Sequence, residues 1–204
     1  SLRAFAPDLI SSHSTKAAGL ANWAGRALGI PVVFTAHGWL FSPGATGVRQ
    51  RGLRWGHRVI ARLASRTICV CHYDRRLAIE YGLAPEGRID VVHNSVADAE
   101  QIPQADPAVA PPHLITVTRL APPKDVGTVL EALSNLRERA WTFEIVGDGP
   151  MRAEIETQIA RLGFEDRIRV AGTCDDVASR LARAQIFVLS TDREGFPMSV
   201  LEAM

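Results

Sequence analysis

Two basic side chains, Arg119 and Lys124, stand where the apolar run Leu114–Thr118 gives way to a segment of helical period beginning at Val126. Cations so spaced at a strand-to-helix turn can meet both phosphates of a diphosphate, and the helix N-terminus adds partial positive charge and unpaired N–H groups. The alternative is a pair of solvated surface charges. Against it, a lysine in the first helical turn opposes the helix dipole unless an anion offsets it. Lys16 and Lys124 are the chain's only lysines among 23 basic side chains.

Glu194-Gly195-Phe196-Pro197-Met198-Ser199-Val200-Leu201-Glu202 offers two carboxylates, one on a loop and one about two turns later, near a helix start. Both can accept hydrogen bonds from hydroxyl groups at different points of one polyol ligand. The alternative is a capping box, Ser199-x-x-Glu202, with Glu202 reaching back to the backbone. Pro197 favours an earlier helix start, which leaves Glu202 available.

In the first half, His37 leaves an apolar strand at Thr35-Ala36-His37-Gly38, and His13 and Lys16 follow the preceding strand. A lone histidine is more often structural or merely exposed than a ligand group; one entering a glycine turn has better odds of facing a ligand. Arg49–Leu63 reads as a basic helix interleaved with apolar residues. It fits an anionic membrane surface, but the favoured reading is a covering helix with a solvated arginine face, weakened by Gly52 and Gly56. No P-loop, Gly-x-Ser-x-Gly elbow, Gly-x-Gly-x-x-Gly fingerprint or zinc-ligand spacing occurs. Gly147-Asp148-Gly149-Pro150 reads only as a tight turn into a helix.

These residues recur where short apolar runs end. Strands are expected at Leu9–Ser12, Val32–Ala36, Thr67–Cys71, Ile89–His93, Leu114–Thr118, Thr142–Val146, Ile168–Ala171 and Ile186–Leu189. Helices are expected at Ala17–Leu28, Val48–Ala64, Asp74–Tyr81, Val126–Arg137, Met151–Leu162, Val177–Ala184 and Pro197–Met204. Runs rich in Val and Ile, without polar alternation, are those of parallel strands covered on both faces, so the chain reads as α/β. In such sheets ligands bind outside the carboxyl ends of the strands, where every candidate above lies.

The rhythm breaks at 101–112, with four prolines and no periodicity, which reads as a linker rather than a long surface loop. Two domains follow, 1–100 and 113–204. The chain opens on the tail of a helix and stops in a helix barely two turns old, so it is expected to be an internal piece of a longer protein. Its 204 residues are 47% hydrophobic, with 23 basic against 22 acidic side chains, which excludes a disordered chain and argues against a nucleic-acid partner. No run is long enough to span a bilayer. Cys69, Cys71 and Cys174 read as free thiols, so a cytoplasmic location is expected.

The ordered set His13-Ser14-Thr15-Lys16, Thr35-Ala36-His37-Gly38-Trp39, Thr118-Arg119-Leu120 with Lys124, Gly147-Asp148-Gly149-Pro150 and Glu194-Gly195-Phe196 with Glu202 resembles the family-4 retaining glycosyltransferases. The resemblance implies GT-B architecture, two Rossmann-like domains facing across a cleft, both incomplete here: an acceptor-side domain first and a nucleotide-sugar-binding domain second. It implies transfer of a hexose-type sugar from a nucleotide-diphosphate donor, with no metal or other cofactor, in cell-surface polysaccharide or glycolipid assembly. Arg119 and Lys124 would hold the diphosphate; Glu194, Gly195 and Phe196 the donor sugar; Glu202 the ribose. His37 and Glu194 would be catalytic, with His13 and Lys16 on the acceptor side. A lipid-linked or polysaccharide acceptor and peripheral contact with the inner face of the membrane would follow. A nucleotide-sugar 2-epimerase and a non-catalytic sugar-nucleotide-binding module are the rivals.

Two departures stand out. Asp125 replaces the family's usual glycine, putting a carboxylate beside the diphosphate lysine with an expected cost in donor affinity. Asn94-Ser95 replaces Asn-Gly, making an expected positive φ costlier. The chain alone is not expected to be a competent enzyme.

Overall fold

The computed structural model describes residues 2–97 and 104–204, which divide into two compact units, Ser1–Asn94 and Ser95–Met204. In the first unit the elements are α1 (Leu2–Phe5), β1 (Ile10–Ser12), α2 (Thr15–Leu28), β2 (Val32–Ala36), α3 (Val48–Leu63), β3 (Arg66–Cys69), α4 (His72–Glu80), a 3-10 turn at Glu86–Arg88, and β4 (Ile89–Val91). The four strands pair in parallel in chain order. Local signals start and stop the helices. The Ser14 hydroxyl accepts from the Ala17 N–H at 3.2 Å to open α2, and Gly29 closes it in the left-handed region. The strand expected at Thr67–Cys71 stops at Cys69 because Cys71 has turned to cap α4, its Sγ accepting from the Asp74 N–H at 3.4 Å. All three cysteines are free thiols, and burial pushes Cys69 up to about 12. Gly52 and Gly56 do not interrupt α3.

The second unit runs β5 (His113–Val117), α5 (Val126–Ser134), β6 (Thr142–Val146), α6 (Arg152–Leu162), β7 (Ile168–Gly172), α7 (Val177–Leu181), β8 (Ile186–Phe187) and α8 (Met198–Ala203). Its parallel sheet has the order β7-β6-β5-β8. The chain therefore steps from β5 outward through β6 to β7, then returns to the other side of β5 with β8. This reversal makes a topological switch point between the carboxyl ends of β5 and β8. Of the segment 101–112, residues 101–103 lie outside the described residues. The remainder turns at Asp106, whose carbonyl accepts from Gln185 Nε2 at 3.3 Å. Asn94 and Ser95 do not take positive φ: among the described residues Ala6 is the only non-glycine residue that does, so the expected strain there is absent.

Each unit has its own core. Phe34, Trp39, Phe41, Leu77 and Leu83 centre the first. Leu120, Leu130, Phe143, Ile145 and Ile155 centre the second. Glu144, within β6 and buried, is neutralised by Arg180 Nη1 of α7 at 2.5 Å. His57 lies in the first core against Trp39, 5.2 Å between ring centroids. Its Nε2 accepts from the Leu40 N–H at 3.3 Å, and burial holds its pKa below the ordinary histidine value.

The turn 147–150 does more than reverse the chain. Leu120 N–H donates to the Asp148 carbonyl at 2.9 Å, and Met151 N–H to the Leu120 carbonyl at 3.0 Å. A side chain at Gly147 would overlap the Thr118 carbonyl, and one at Gly149 the Leu120 carbonyl. The two glycines thus let the backbone on either side of Arg119 seat directly on the turn.

Gly149→Ala is expected to lower stability by about 1–3 kcal/mol in urea unfolding, because only backbone movement can relieve the overlap. For His57 the sign is set by its lowered pKa. Above the unfolded value of about 6.5 both states are neutral; below it the unfolded chain takes the proton first, so stability falls as pH falls. His57→Gln, which can still accept from Leu40, is expected to flatten the decline between about pH 7 and about pH 5 seen in thermal melts.

Candidate functional site

The switch point of the second sheet gathers the polar groups of two loops. One leaves β5 as Thr118-Arg119-Leu120 and reaches Lys124; the other leaves β8 as Ser190-Thr191-Asp192-Arg193-Glu194. They pair through their backbones. Lys124 and Thr191 form an antiparallel bridge, Asp125 N–H donates to the Ser190 carbonyl at 3.0 Å, and Asp192 N–H donates to the Pro123 carbonyl at 2.9 Å. The Thr191 hydroxyl also donates to the Pro123 carbonyl at 3.1 Å. This clasp brings Lys124 Nζ into an ion pair with Glu194 Oε1, across 70 residues of sequence. Their side chains are 17% and 27% exposed, so the pair is shielded from bulk solvent yet open to a ligand.

Arg119 is exposed on the same loop, its Nη2 donating to the Pro122 carbonyl at 3.4 Å. Gly195 and Phe196 are half-buried immediately after Glu194. Glu202 is exposed on α8, whose N-cap is Pro197. Ser199 lies inside that helix, so the capping-box alternative does not hold. The cation–anion contact is Lys124 with Glu194; Arg119 and Glu202 lie on the same unit without a salt bridge to either among the described residues.

Asp125 corrects an expectation. Its carboxylate turns away to cap α5, Oδ1 accepting from the Thr128 N–H at 3.0 Å and Oδ2 from the Thr128 hydroxyl at 2.6 Å. These bonds hold its pKa below the usual carboxylate range. The carboxylate that meets Lys124 is Glu194's. The spacing Asp125-x-x-Thr128 carried this signal in the sequence.

In the first unit, β1 and β2 are neighbours and their carboxyl ends bring His13 to His37. His13 Nδ1 lies 3.1 Å from His37 Nε2, the rings stack with centroids 5.4 Å apart, and the Ser11 hydroxyl lies 3.1 Å from His13 Nε2. Partial burial, then the neighbouring His13, lower the His37 pKa. One shared proton satisfies the contact; two positive rings would repel. Trp39 goes the other way, into the core, where its indole N–H donates to the Asp74 carbonyl at 2.9 Å. Lys16 is exposed in the first turn of α2 and makes no bond to the histidine pair among the described residues. The histidine contact was not readable from residues 24 positions apart.

Residues 1–100 match the family described as Glycosyltransferase Family 4, and residues 111–204 match Glycosyl transferases group 1. The chain is 26% identical over 212 residues to UDP-Gal:alpha-D-GlcNAc-diphosphoundecaprenol alpha-1,3-galactosyltransferase of Escherichia coli, covering 96% of this chain and 55% of that protein. It is 26% identical to the putative glycosyltransferase EpsD of Bacillus subtilis, covering 97% and 56%. The chain thus spans about half the length of these relatives. Among solved structures it is similar to Anabaena HepE in complex with UDP and glucose, with a TM-score of 0.81 and 23% identity over 98% of this chain and 57% of that one. The apo form of the lipopolysaccharide outer core galactosyltransferase WaaB gives 0.71 and 21%, over 99% and 55%. These likenesses establish the fold, two parallel-sheet α/β units of GT-B type. With consecutive matches running through both units, this chain belongs to the glycosyltransferases, its first unit matching family 4 and its second group 1.

Proposed function

We propose that this chain is part of an enzyme that transfers a hexose-type sugar, with retention, from a nucleotide-diphosphate donor. The observation that carries this reading is the Lys124–Glu194 pair, held by the backbone clasp at the switch point of the second sheet. A cation and a carboxylate there suit the two ends of one donor: Lys124 the diphosphate, Glu194 the sugar hydroxyls. Each holds the other in place. A diphosphate exchanging with Glu194 at Lys124 releases the carboxylate to accept from the sugar. As the bond between the anomeric carbon and the phosphate oxygen breaks, its electron pair goes to that oxygen; the acceptor hydroxyl oxygen bonds to the anomeric carbon on the same face, its proton passes to the departing phosphate, and Lys124 with Arg119 stabilises the growing charge. The reading needs no metal or further cofactor. Gly195 and Phe196 border the sugar, and Glu202 binds the ribose hydroxyls.

The first unit takes the acceptor side. We assign His37, whose pKa partial burial lowers, to catalysis on the acceptor side, and His13 and Lys16 to the acceptor region. The printed names of relatives support a lipid-linked or polysaccharide acceptor in cell-surface polysaccharide or glycolipid assembly: one acts on a diphosphoundecaprenol-linked sugar, and others serve amylovoran biosynthesis. We place the reaction in the cytoplasm, peripheral to the inner face of the membrane. No described helix is long and apolar enough to cross a bilayer.

In the full-length protein, Lys124→Ala is expected to lower kcat/KM for transfer by on the order of 100-fold, as loss of one charge-stabilising donor does. Glu194→Ala is expected to cost a similar factor, and both to weaken donor binding in calorimetry. Mass spectrometry of products from a nucleotide-sugar panel reads the outcome. Unchanged transfer and donor affinity in both variants sinks the assignment; donor conversion without acceptor, or binding without turnover, replaces it with an epimerase or a binding module.

A further inference from the structure

The overall charge of +1 conceals a segregation. The first unit carries twelve basic and five acidic side chains; the second carries eleven and seventeen. Between Asp8 and Asp74 there is no acidic residue at all, against one lysine and seven arginines. Helices α2 and α3 occupy this acid-free stretch. Because β1, β2 and β3 are successive parallel neighbours, right-handed crossovers put both helices on one face of the sheet, where Asn22 Nδ2 donates to the Ile60 carbonyl at 3.0 Å.

The outer sides of these helices are apolar at their centres. In α2 the buried stripe is Ala18, Asn22 and Gly25, and in α3 it is His57 and Ala61. At 3.6 residues per turn, Leu20 and Trp23 fall opposite the first stripe, and Val48 and Trp55 opposite the second. They are 74%, 76%, 81% and 68% exposed, whereas Trp39 and Trp141 are buried. Lys16 stands on the outer side of α2 and Arg51 at the edge of the outer side of α3, beside Trp55; both are exposed and without salt-bridge partners among the described residues. Three other arginines of α3 are occupied. Arg54 lies over the Tyr81 ring, its guanidinium carbon 4.7 Å from the centroid. Arg58 donates to the Tyr81 carbonyl at 2.7 Å, and Arg62 to that of Gly82 at 3.5 Å. Around the helix Arg51 falls between Arg58 and Arg62, next to Trp55.

We propose that the outer face of α2 and α3 is a docking surface for an anionic phospholipid bilayer, with Trp23 and Trp55 as interfacial anchors. Tryptophans seat at the headgroup level, and lysine and arginine beside them meet lipid phosphates. The absence of acidic side chains over this whole stretch is the complement of a negative membrane and removes the repulsion that a single carboxylate would add. The four exposed apolar side chains Leu20, Trp23, Val48 and Trp55 stand on helix exteriors. This deepens the reading of a membrane-side reaction and rests on it for location alone, since partition onto vesicles is measured without donor or acceptor.

The test is co-sedimentation of the full chain with vesicles of phosphatidylcholine containing phosphatidylglycerol, against phosphatidylcholine alone, at low and high salt. Binding to the anionic vesicles, weakened by salt and by phosphatidylcholine alone, is expected. Trp23→Ser with Trp55→Ser, and separately Lys16→Glu with Arg51→Glu, are each expected to reduce partition at least about tenfold while leaving the thermal melt in place. If a variant unfolds, quenching of the wild-type tryptophan fluorescence by brominated lipid decides, and no quenching overturns the proposal. Equal binding to both vesicle types, or variants that bind as wild type, overturn it. Retention on a soluble polyanion such as dextran sulfate without vesicle binding reassigns the face to such a polymer. Sugar transfer to a soluble acceptor by Trp23→Ser with Trp55→Ser, neither of them a residue of the proposed donor or acceptor site, separates failure here from failure of the glycosyltransferase reading.

Discussion

The second unit depends on one constraint: the return of β8 to the free side of β5. That reversal leaves two carboxyl-end loops adjacent, with no strand between them to separate their side chains. Backbone hydrogen bonds between 123–125 and 190–192 then convert adjacency into register. Once Lys124 and Thr191 are paired, Lys124 and Glu194 can meet. The backbone bonds are insensitive to side-chain identity, so the loops hold their spacing while the charged pair remains available for exchange. Asp125 secures the same place from the other side, closing the first turn of α5 through Thr128 and fixing where the chain enters the helix just after Lys124.

Gly147 and Gly149 contribute from beneath. Their missing side chains let the chain between Thr118 and Leu120 rest on the 147–150 turn, so Arg119 projects from a braced backbone rather than a loose loop. Asp148 is bound by Arg152 Nη1 at 2.9 Å, which ties the turn to the first residue of α6. Positioning of this kind limits the conformational freedom that a charged ligand would otherwise have to remove on binding.

What could be read from the sequence follows the range of the interaction that decides it. The Val- and Ile-rich runs specify strands because their patterning is local, and every expected strand and helix is present with small shifts at its ends. Lys124 stands out as a cation beside a helix start, although the structure places it just before the N-cap Asp125 rather than in the first turn. Glu194 and Glu202 were legible as carboxylates beside a helix start. Their difference was not: one is paired and the other exposed, and this depends on strand order. The histidine contact depends likewise on β1 lying beside β2. Asp125 differs for another reason: it is next to Lys124 in sequence, but the equally local cap through Thr128 takes its carboxylate.

The packing of α2 shows why its exterior is not a by-product of stability. The helix meets the sheet through Ala18, Asn22 and Gly25, two of them nearly without side chain, and the third spends its amide on a neighbouring helix. Burying a large apolar side chain stabilises a fold by roughly 1.5–3 kcal/mol relative to leaving it exposed. A helix selected for covering power alone would turn Leu20 or Trp23 inward; this one forgoes that gain twice, and α3 does so again at Trp55. Scattered exposed apolar groups are ordinary, but here they sit opposite the buried stripes of adjacent helices in a stretch free of acidic residues. Water gives no reward for that arrangement, whereas a surface offering both hydrocarbon and negative charge rewards each part of it.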